Sequence, residues 1–166
     1  MKIIIIEDDL KIREELSKLL KKNGYETILL NEFENIPLQI ENIDANLILL
    51  DINLPFENGY EICRKIKNIS NIPIIFVTSR DSTQDEIMSI QVGGIDFISK
   101  PYDTIILLEK IKRAINLTDP KNFKEMTKKG YTLDLHLSLL KYKDKEIELT
   151  RNEFSCLLYT SDAADE

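Results

Sequence analysis

Two cysteines, Cys63 and Cys156, in 166 residues are too few for a disulfide framework, which places the chain in a reducing compartment. No apolar run approaches the roughly 20 residues of a membrane-spanning helix. The opening MKIIIIEDD has neither the length nor the small-residue cleavage site of a secretory signal, so the expected location is cytoplasmic with no membrane partner. There is one histidine, His136, in an alternating run, read as a partly exposed strand residue rather than a ligand or a base. Positive charge is also short: 22 Lys and Arg against 29 Asp and Glu, net −7, disfavours a nucleic-acid footprint spread over the whole molecule. The deficit is uneven. Residues 1–115 hold 14 basic against 19 acidic side chains, net −5, whereas 116–153 hold 8 against 7, net +1, so the composition changes near Asn116. What is present, 43% hydrophobic residues over this length, is ample for one globular domain and a fraction of another.

The apolar residues fall in runs that stop on polar ones. Lys2 to Ile6 ends in Glu7, Asp8 and Asp9; Leu47 to Leu50 ends on Asp51, with the turn-prone Asn53 and Pro55 behind it; Pro73 to Val77 ends on Thr78 and Ser79; Ile95 to Ser99 ends on Lys100 and Pro101. Continuous runs of this length suit strands buried on both faces of a parallel sheet. Tyr25 to Leu30 reads as a further strand. Between them, helices are expected after an Asp9 cap with Ile12, Leu16, Leu19 and Leu20 on one face, around Phe33, Ile36 and Ile40 where Pro37 weakens the run, over Gly59 to Ile69, and over Ser82 to Val92. A last helix, capped by Asp103 or Thr104, places Ile105, Leu108, Ile111 and Ile115 on one face. Five strands alternating with five helices predict an α/β fold with a doubly wound parallel sheet. Right-handed crossovers bring all strand ends to one edge, so Glu7, Asp8, Asp51, Thr78 and Lys100 converge.

Carboxylates packed together repel and stay ionised at neutral pH only around a shared cation. An all-oxygen set suits Mg²⁺ (or Mn²⁺), which takes few protein ligands. The Thr78 hydroxyl and the Lys100 ammonium both suit phosphoryl oxygens, and Asp51 is positioned as a nucleophile that forms an acyl phosphate. Taken singly, each residue has a plainer role: Asp51 or Thr78 as a cap, Lys100 as a surface lysine, Asp9 as a helix cap, Phe97 and Cys63 as packing.

The order EDD, LLD, TS, KP at successive strand ends resembles the receiver domain of two-component response regulators, over residues 1–115. The resemblance implies that Asp51 accepts phosphate from the phosphohistidine of a sensor histidine kinase. It further implies that Glu7, Asp8, Asp51 and the backbone carbonyl of Asn53 hold Mg²⁺, that Thr78 and Lys100 bind the phosphoryl group, that Phe97 is an aromatic switch turning inward with Thr78, and that the Lys100-Pro101 bond is cis. Tyr131 to Phe154, with alternating runs, a turn near Lys143-Asp144 and the ELT..EF signature, resembles the start of the winged-helix effector domain of OmpR-type regulators, with 116–129 as linker and 130–155 as its truncated front. The family's DNA-reading helix and wing would follow later, so DNA binding belongs to the full-length protein. Lys121, Lys124, Lys128 and Lys129 read as a solvated linker. The last residues, 156–166 (CLLYTSDAADE), match one reading frame of a transposon-end sequencing adapter. They are read as an artefactual tail following a natural sequence that runs to about Ser155. Residues 131–155 are then expected to be poorly ordered, or to form only the small sheet that precedes the effector helices.

OmpR-type receivers pair as a symmetric dimer through the fourth helix, fifth strand and fifth helix. Here Glu86 stands where the family usually has lysine and Ile106 where it has glutamate, while Asp96 and Lys110 keep the usual charge. The resemblance thus implies a homodimer that depends more on packing. SRDSTQDEIMSIQVGG is similar to regulators that respond to peptide antibiotics through a sensor kinase and an ABC exporter. Two other functions compete: a stand-alone receiver acting as phosphate relay or interaction switch, and a metal-dependent phosphatase with an aspartyl nucleophile. The second is disfavoured because Asp51-x-Asn53 lacks the additional aspartate needed as general acid, so the chain is read as a phospho-acceptor and not a multiple-turnover enzyme.

Overall fold

The uninterrupted aliphatic runs are buried on both faces in the computed structural model, which describes residues 1–80, 82–118, 126–128, 131–134, 139–143 and 145–149. Five strands, β1 (Lys2–Ile6), β2 (Glu26–Leu29), β3 (Leu47–Leu50), β4 (Ile74–Thr78) and β5 (Asp96–Ser99), form one parallel sheet in the order β2-β1-β3-β4-β5. Strand side chains alternate between faces, so each run feeds two cores. Ile4, Ile6, Ile48, Leu50, Ile74 and Phe76 pack on one side, and Ile3, Ile5, Leu47, Leu49, Ile75 and Val77 on the other. The first core is closed by α2 (Ile36–Ile40) and α3 (Gly59–Ile69), the second by α1 (Leu10–Lys22) and α5 (Thr104–Thr118). The expected doubly wound architecture is the one observed. Cys63 lies in the first core, where burial pushes its thiol up to about 11 despite Lys67 and Arg64, so it packs as a small hydrophobe.

Helix starts follow from capping side chains. Asp9 accepts from Lys11 N at 2.9 Å and Ile12 N at 3.1 Å, Asn58 from Tyr60 N at 2.8 Å, and Asp103 from Ile105 N at 2.7 Å. Pro37 does not weaken α2. It falls in the first turn, where its missing N–H costs no helical bond, and Asn35 turns into the helix at φ 52°. The apolar face of α5 differs from the expected one. Ile105 is exposed, and Leu107, Ile111, Ala114 and Ile115 are buried, with Leu108 packed at the margin.

The fourth helix, α4 (Thr83–Gln91), buries only Ser89 and leaves Ile87, Met88 and Ile90 exposed, so it is held to the sheet by little apolar area.

The chain divides between Asn116 and Leu117 into two compact units. In the second, β6 (Met126–Lys128), β7 (Tyr131–Asp134), β8 (Leu139–Tyr142) and β9 (Lys145–Glu148) form an antiparallel sheet in sequence order. Tyr131 and Tyr142 face each other across β7 and β8, with ring centroids 4.2 Å apart. The small sheet is therefore present, and it begins with a strand inside the stretch read as linker, where the lysine-rich sequence shows no alternation. His136, Phe154 and residues 156–166 lie outside the described residues.

Sheet and site meet at Gly59. A Cβ there would lie 2.3 Å from the Asp51 carbonyl oxygen and 2.7 Å from Ile52 Cα, both backbone atoms that cannot swing aside. Gly59→Ala is expected to force the turn after β3 open and cost about 2 kcal/mol or more in urea unfolding. A loss below about half of that would show that the turn is free to shift.

Candidate functional site

Ladder hydrogen bonds that run one residue beyond the strands set the site. Asp51 N donates to Ile6 O at 2.9 Å, and Lys100 N donates to Thr78 O at 2.7 Å. The first places Glu7 beside Asp51; the second sets Lys100 against β4. The Lys100-Pro101 peptide is cis, as the sequence resemblance implied. Lys100 Nζ reaches both carboxylates, at 2.5 Å from Glu7 Oε2 and 2.7 Å from Asp51 Oδ2. All three side chains are deeply buried, 11% exposed for Lys100, 5% for Glu7 and 6% for Asp51. The remaining carboxylate oxygens take backbone donors: Glu7 Oε1 from Asp9 N at 3.2 Å and Asp51 Oδ1 from Asn53 N at 3.0 Å.

Asp8 is exposed at the rim, and ligand atoms of Glu7, Asp8 and Asp51 lie within 4.8 Å of one another, close enough to share a metal ion. The fit is chemical as well as geometric, since two of these carboxylates already share one cation and the third is exposed to solvent. Burial raises the Glu7 pKa, with Asp51 adding to the rise and Lys100 opposing it. For Lys100 burial acts downward, and the hydrogen bonds it donates to Asp51 and Glu7 outweigh it, so the ammonium is held above its usual range. Thr78 is fully buried, its Oγ1 3.4 Å from Arg80 N. Phe97 is half-buried against the first core. Glu7, Asp8, Asp51 and Lys100 are thus brought together, with Asn53 on the turn after β3 and Thr78 at the end of β4 beside them.

The residues read as a dimer face lie on α4, β5 and α5. Glu86 and Ile106 are exposed, and Ile87, Ile90 and Ile95 add apolar surface. Asp96 and Lys110 are already paired within the chain at 2.7 Å, and Lys110 Nζ also donates to Phe97 O at 3.0 Å.

Two arginines at the site escaped the sequence reading. Arg13 is buried on α1, its Nη1 donating to Leu30 O at 2.8 Å and Glu7 O at 3.3 Å, while its Nε makes no hydrogen bond. Arg80 donates from Nε to Asn53 Oδ1 at 3.0 Å, with Nη1 3.6 Å from Asp85 Oδ1. Asp85 also accepts from Tyr60 OH at 3.0 Å and from Ser82 Oγ at 2.5 Å. The Ser82 bond, followed by those of Tyr60 and Arg80, keeps the Asp85 carboxyl below its usual range; burial and the bond to Asp85 push Tyr60 up. A serine three residues before an aspartate is a sequence sign of a capped turn; nothing in the sequence pairs Arg80 with Asn53.

Residues 3–112 match the family described as the response regulator receiver domain. The chain is 39% identical over 117 residues to the uncharacterized transcriptional regulatory protein YvcP of Bacillus subtilis, a match covering 70% of this chain and 49% of that protein. It is 35% identical over 160 residues to the sensory transduction protein BceR of Halalkalibacterium halodurans, covering 94% of this chain and 69% of the relative. The matched region therefore spans between about half and two thirds of these relatives. Among solved structures, the N-terminal domain of the nisin resistance regulator NsrR, a lantibiotic response regulator, is similar at 34% identity and a TM-score of 0.63, covering 69% of this chain and 97% of that one.

Removing Lys100 leaves Glu7 and Asp51 buried face to face without a counterion. In metal-free buffer at neutral pH, Lys100→Ala is expected to lose about 3 kcal/mol of unfolding free energy. Without Lys100 the Glu7 pKa rises further, so protonation on mild acidification relieves the repulsion and part of the loss returns. Equal losses in urea titrations at pH values above and below that protonation would contradict the ion-pair assignment.

Proposed function

Because the chain belongs to the response regulator receiver domain family, we propose that Asp51 accepts a phosphoryl group from the phosphohistidine of a sensor histidine kinase in a two-component system. The observation that carries this reading is the Asp51 carboxylate at the end of β3, 2.7 Å from the Lys100 ammonium and flanked by Glu7 and Asp8. A carboxylate oxygen of Asp51 attacks phosphorus, the O–P bond forms as the P–N bond breaks, and the bond pair leaves with the imidazole nitrogen. Lys100 neutralises a phosphoryl oxygen, and the Thr78 hydroxyl hydrogen-bonds another. Glu7, Asp8, Asp51 and the Asn53 carbonyl would hold Mg²⁺ or Mn²⁺, which supplies charge neutralisation for the transferring group.

As Thr78 is drawn to the phosphoryl group, Phe97 moves inward and alters the α4, β5 and α5 face. Glu86, Asp96, Ile106 and Lys110 mark that face, where the phosphorylated protein forms a homodimer. Asp96 and Lys110 pair within the chain, and the exposed isoleucines around them support an association built on apolar contact. Residues 1–115 act as the receiver, and 130–155 are the front of a winged-helix domain that, in the full-length protein, binds DNA and regulates transcription. The likeness to the lantibiotic regulator NsrR supports a place in the response to peptide antibiotics. Such signalling is cytoplasmic, and among the described residues no helix is long and apolar enough to cross a membrane.

Incubation with acetyl phosphate and Mg²⁺ is expected to add one phosphoryl group by intact mass, and none to Asp51→Asn; equal labelling of the variant would refute the assignment. Mg²⁺ affinity provides a second check. The ion binds ionised Glu7, whose raised pKa lies above 4.5, so protons compete for the site and affinity measured calorimetrically falls with pH before ordinary carboxylates titrate. A flat profile down to the ordinary value would exclude Glu7 as a ligand.

A further inference from the structure

The cations at this strand edge are not equally committed. Lys100 is held by two buried carboxylates, whereas Arg80 is 42% exposed and rests on a neutral amide oxygen at 3.0 Å and on Asp85 at 3.6 Å. A guanidinium presents a planar fork that matches a phosphoryl group in two parallel hydrogen bonds, and neither of its present contacts uses it that way. Arg80 is also close to the acceptor: Asn53 N donates to Asp51 Oδ1 and the Asn53 side chain takes Arg80 Nε, so one residue separates the guanidinium from the carboxylate that would be modified.

The other end of the contact leads to α4. Asp85 lies in its first turn, with Oδ1 facing both Arg80 and Tyr60 OH, and the same hydroxyl lies 3.2 Å from Asp85 O. Tyr60 belongs to α3 and packs on Phe76 of β4, with ring centroids 5.5 Å apart. Since α4 buries only Ser89, these polar contacts are a large share of what fixes its N-terminus.

Resting on the reading of Asp51 as phospho-acceptor, we propose that Arg80 is a second phosphoryl-binding cation, parked on Asn53 and Asp85 until Asp51 is modified. Its transfer to the phosphoryl oxygens then unloads the N-terminus of α4. The competition is direct. Asp85 and the phosphoryl group draw on one guanidinium, so weakening the first strengthens the second.

The test is a fluorine NMR titration of the full chain with beryllofluoride, a phosphoryl mimic, in Mg²⁺. Arg80→Ala is expected to weaken binding about tenfold, and Arg80→Lys, which restores charge without the fork, to fall between it and wild type. Asp85→Asn keeps one acceptor oxygen, presents an NH₂ donor to the other of the Tyr60 and Ser82 hydroxyls, which can accept from it, and removes the competing charge, so binding is expected to tighten a few-fold. The double variant should match Arg80→Ala alone. General damage to the site would weaken all variants together, which distinguishes it from the opposite signs expected here. The proposal is overturned if Arg80→Ala binds as wild type does, if Asp85→Asn weakens binding, or if its tightening persists without Arg80. If Asp51→Asn binds beryllofluoride as well as wild type, the acceptor reading fails and the Arg80 proposal with it. Binding lost in Asp51→Asn but unchanged in Arg80→Ala leaves that reading standing and overturns the proposal alone.

Discussion

One ammonium between two buried carboxylates governs this molecule. Lys100 joins β5 to the ends of β1 and β3, which the sequence separates by 93 and 49 residues. Isolated, any of these charges would be costly at such depth, and together they offset one another only in one geometry. The aliphatic strands make that geometry rigid, because a parallel sheet buried on both faces cannot slip by a residue without moving every side chain to the wrong core. Apolar burial thus sets the positions, and charge makes them useful. The pair is also poised: a cation arriving at the carboxylates, or an anion arriving at the lysine, competes with a bond that already exists.

That competition gives a physical basis for switching. The folded chain keeps its site charges satisfied internally, Lys100 by Glu7 and Asp51 and Arg80 by Asn53 and Asp85. A phosphoryl group must draw partners from these contacts. Each partner drawn away leaves something behind, and what Arg80 leaves is the first turn of α4, the helix with the least buried apolar area in this unit. A helix so weakly packed is suited to shift on a small change in electrostatic free energy.

The three central strands were legible because their signal is simple: uninterrupted apolar runs in β1, β3 and β4, each closed by a polar residue, whereas β2 and β5 are mixed runs placed by the alternation of strands with helices. The acidic cluster and Lys100 were legible for the same reason, since parallel strands carry their terminal residues to one edge. The phase of α5 was not, because Ile105, Ile106, Leu107 and Leu108 are four apolar residues in a row and fit more than one helical face. Packing chose the face that includes Ala114, which carries little weight in a hydrophobic pattern. Pro37 read as weakening its helix because its effect depends on position within the helix, which requires the start at Asn35 to be known. Arg13 and Arg80 look like solvated charges in sequence. Their roles depend on carbonyl and amide oxygens from other elements, and a pattern of side-chain types does not record those.

If Asp51 takes the phosphoryl group, Lys100 must exchange Glu7 for it. A crystal structure of the chain with Mg²⁺ and beryllofluoride is the decisive measurement. The expected result is beryllium bonded to an Asp51 carboxylate oxygen, Lys100 Nζ moved from Glu7 Oε2 onto a fluorine, and Glu7 turned to the metal. Beryllofluoride bound away from Asp51, or bound there with Lys100 still bridging Glu7 and Asp51, would contradict it.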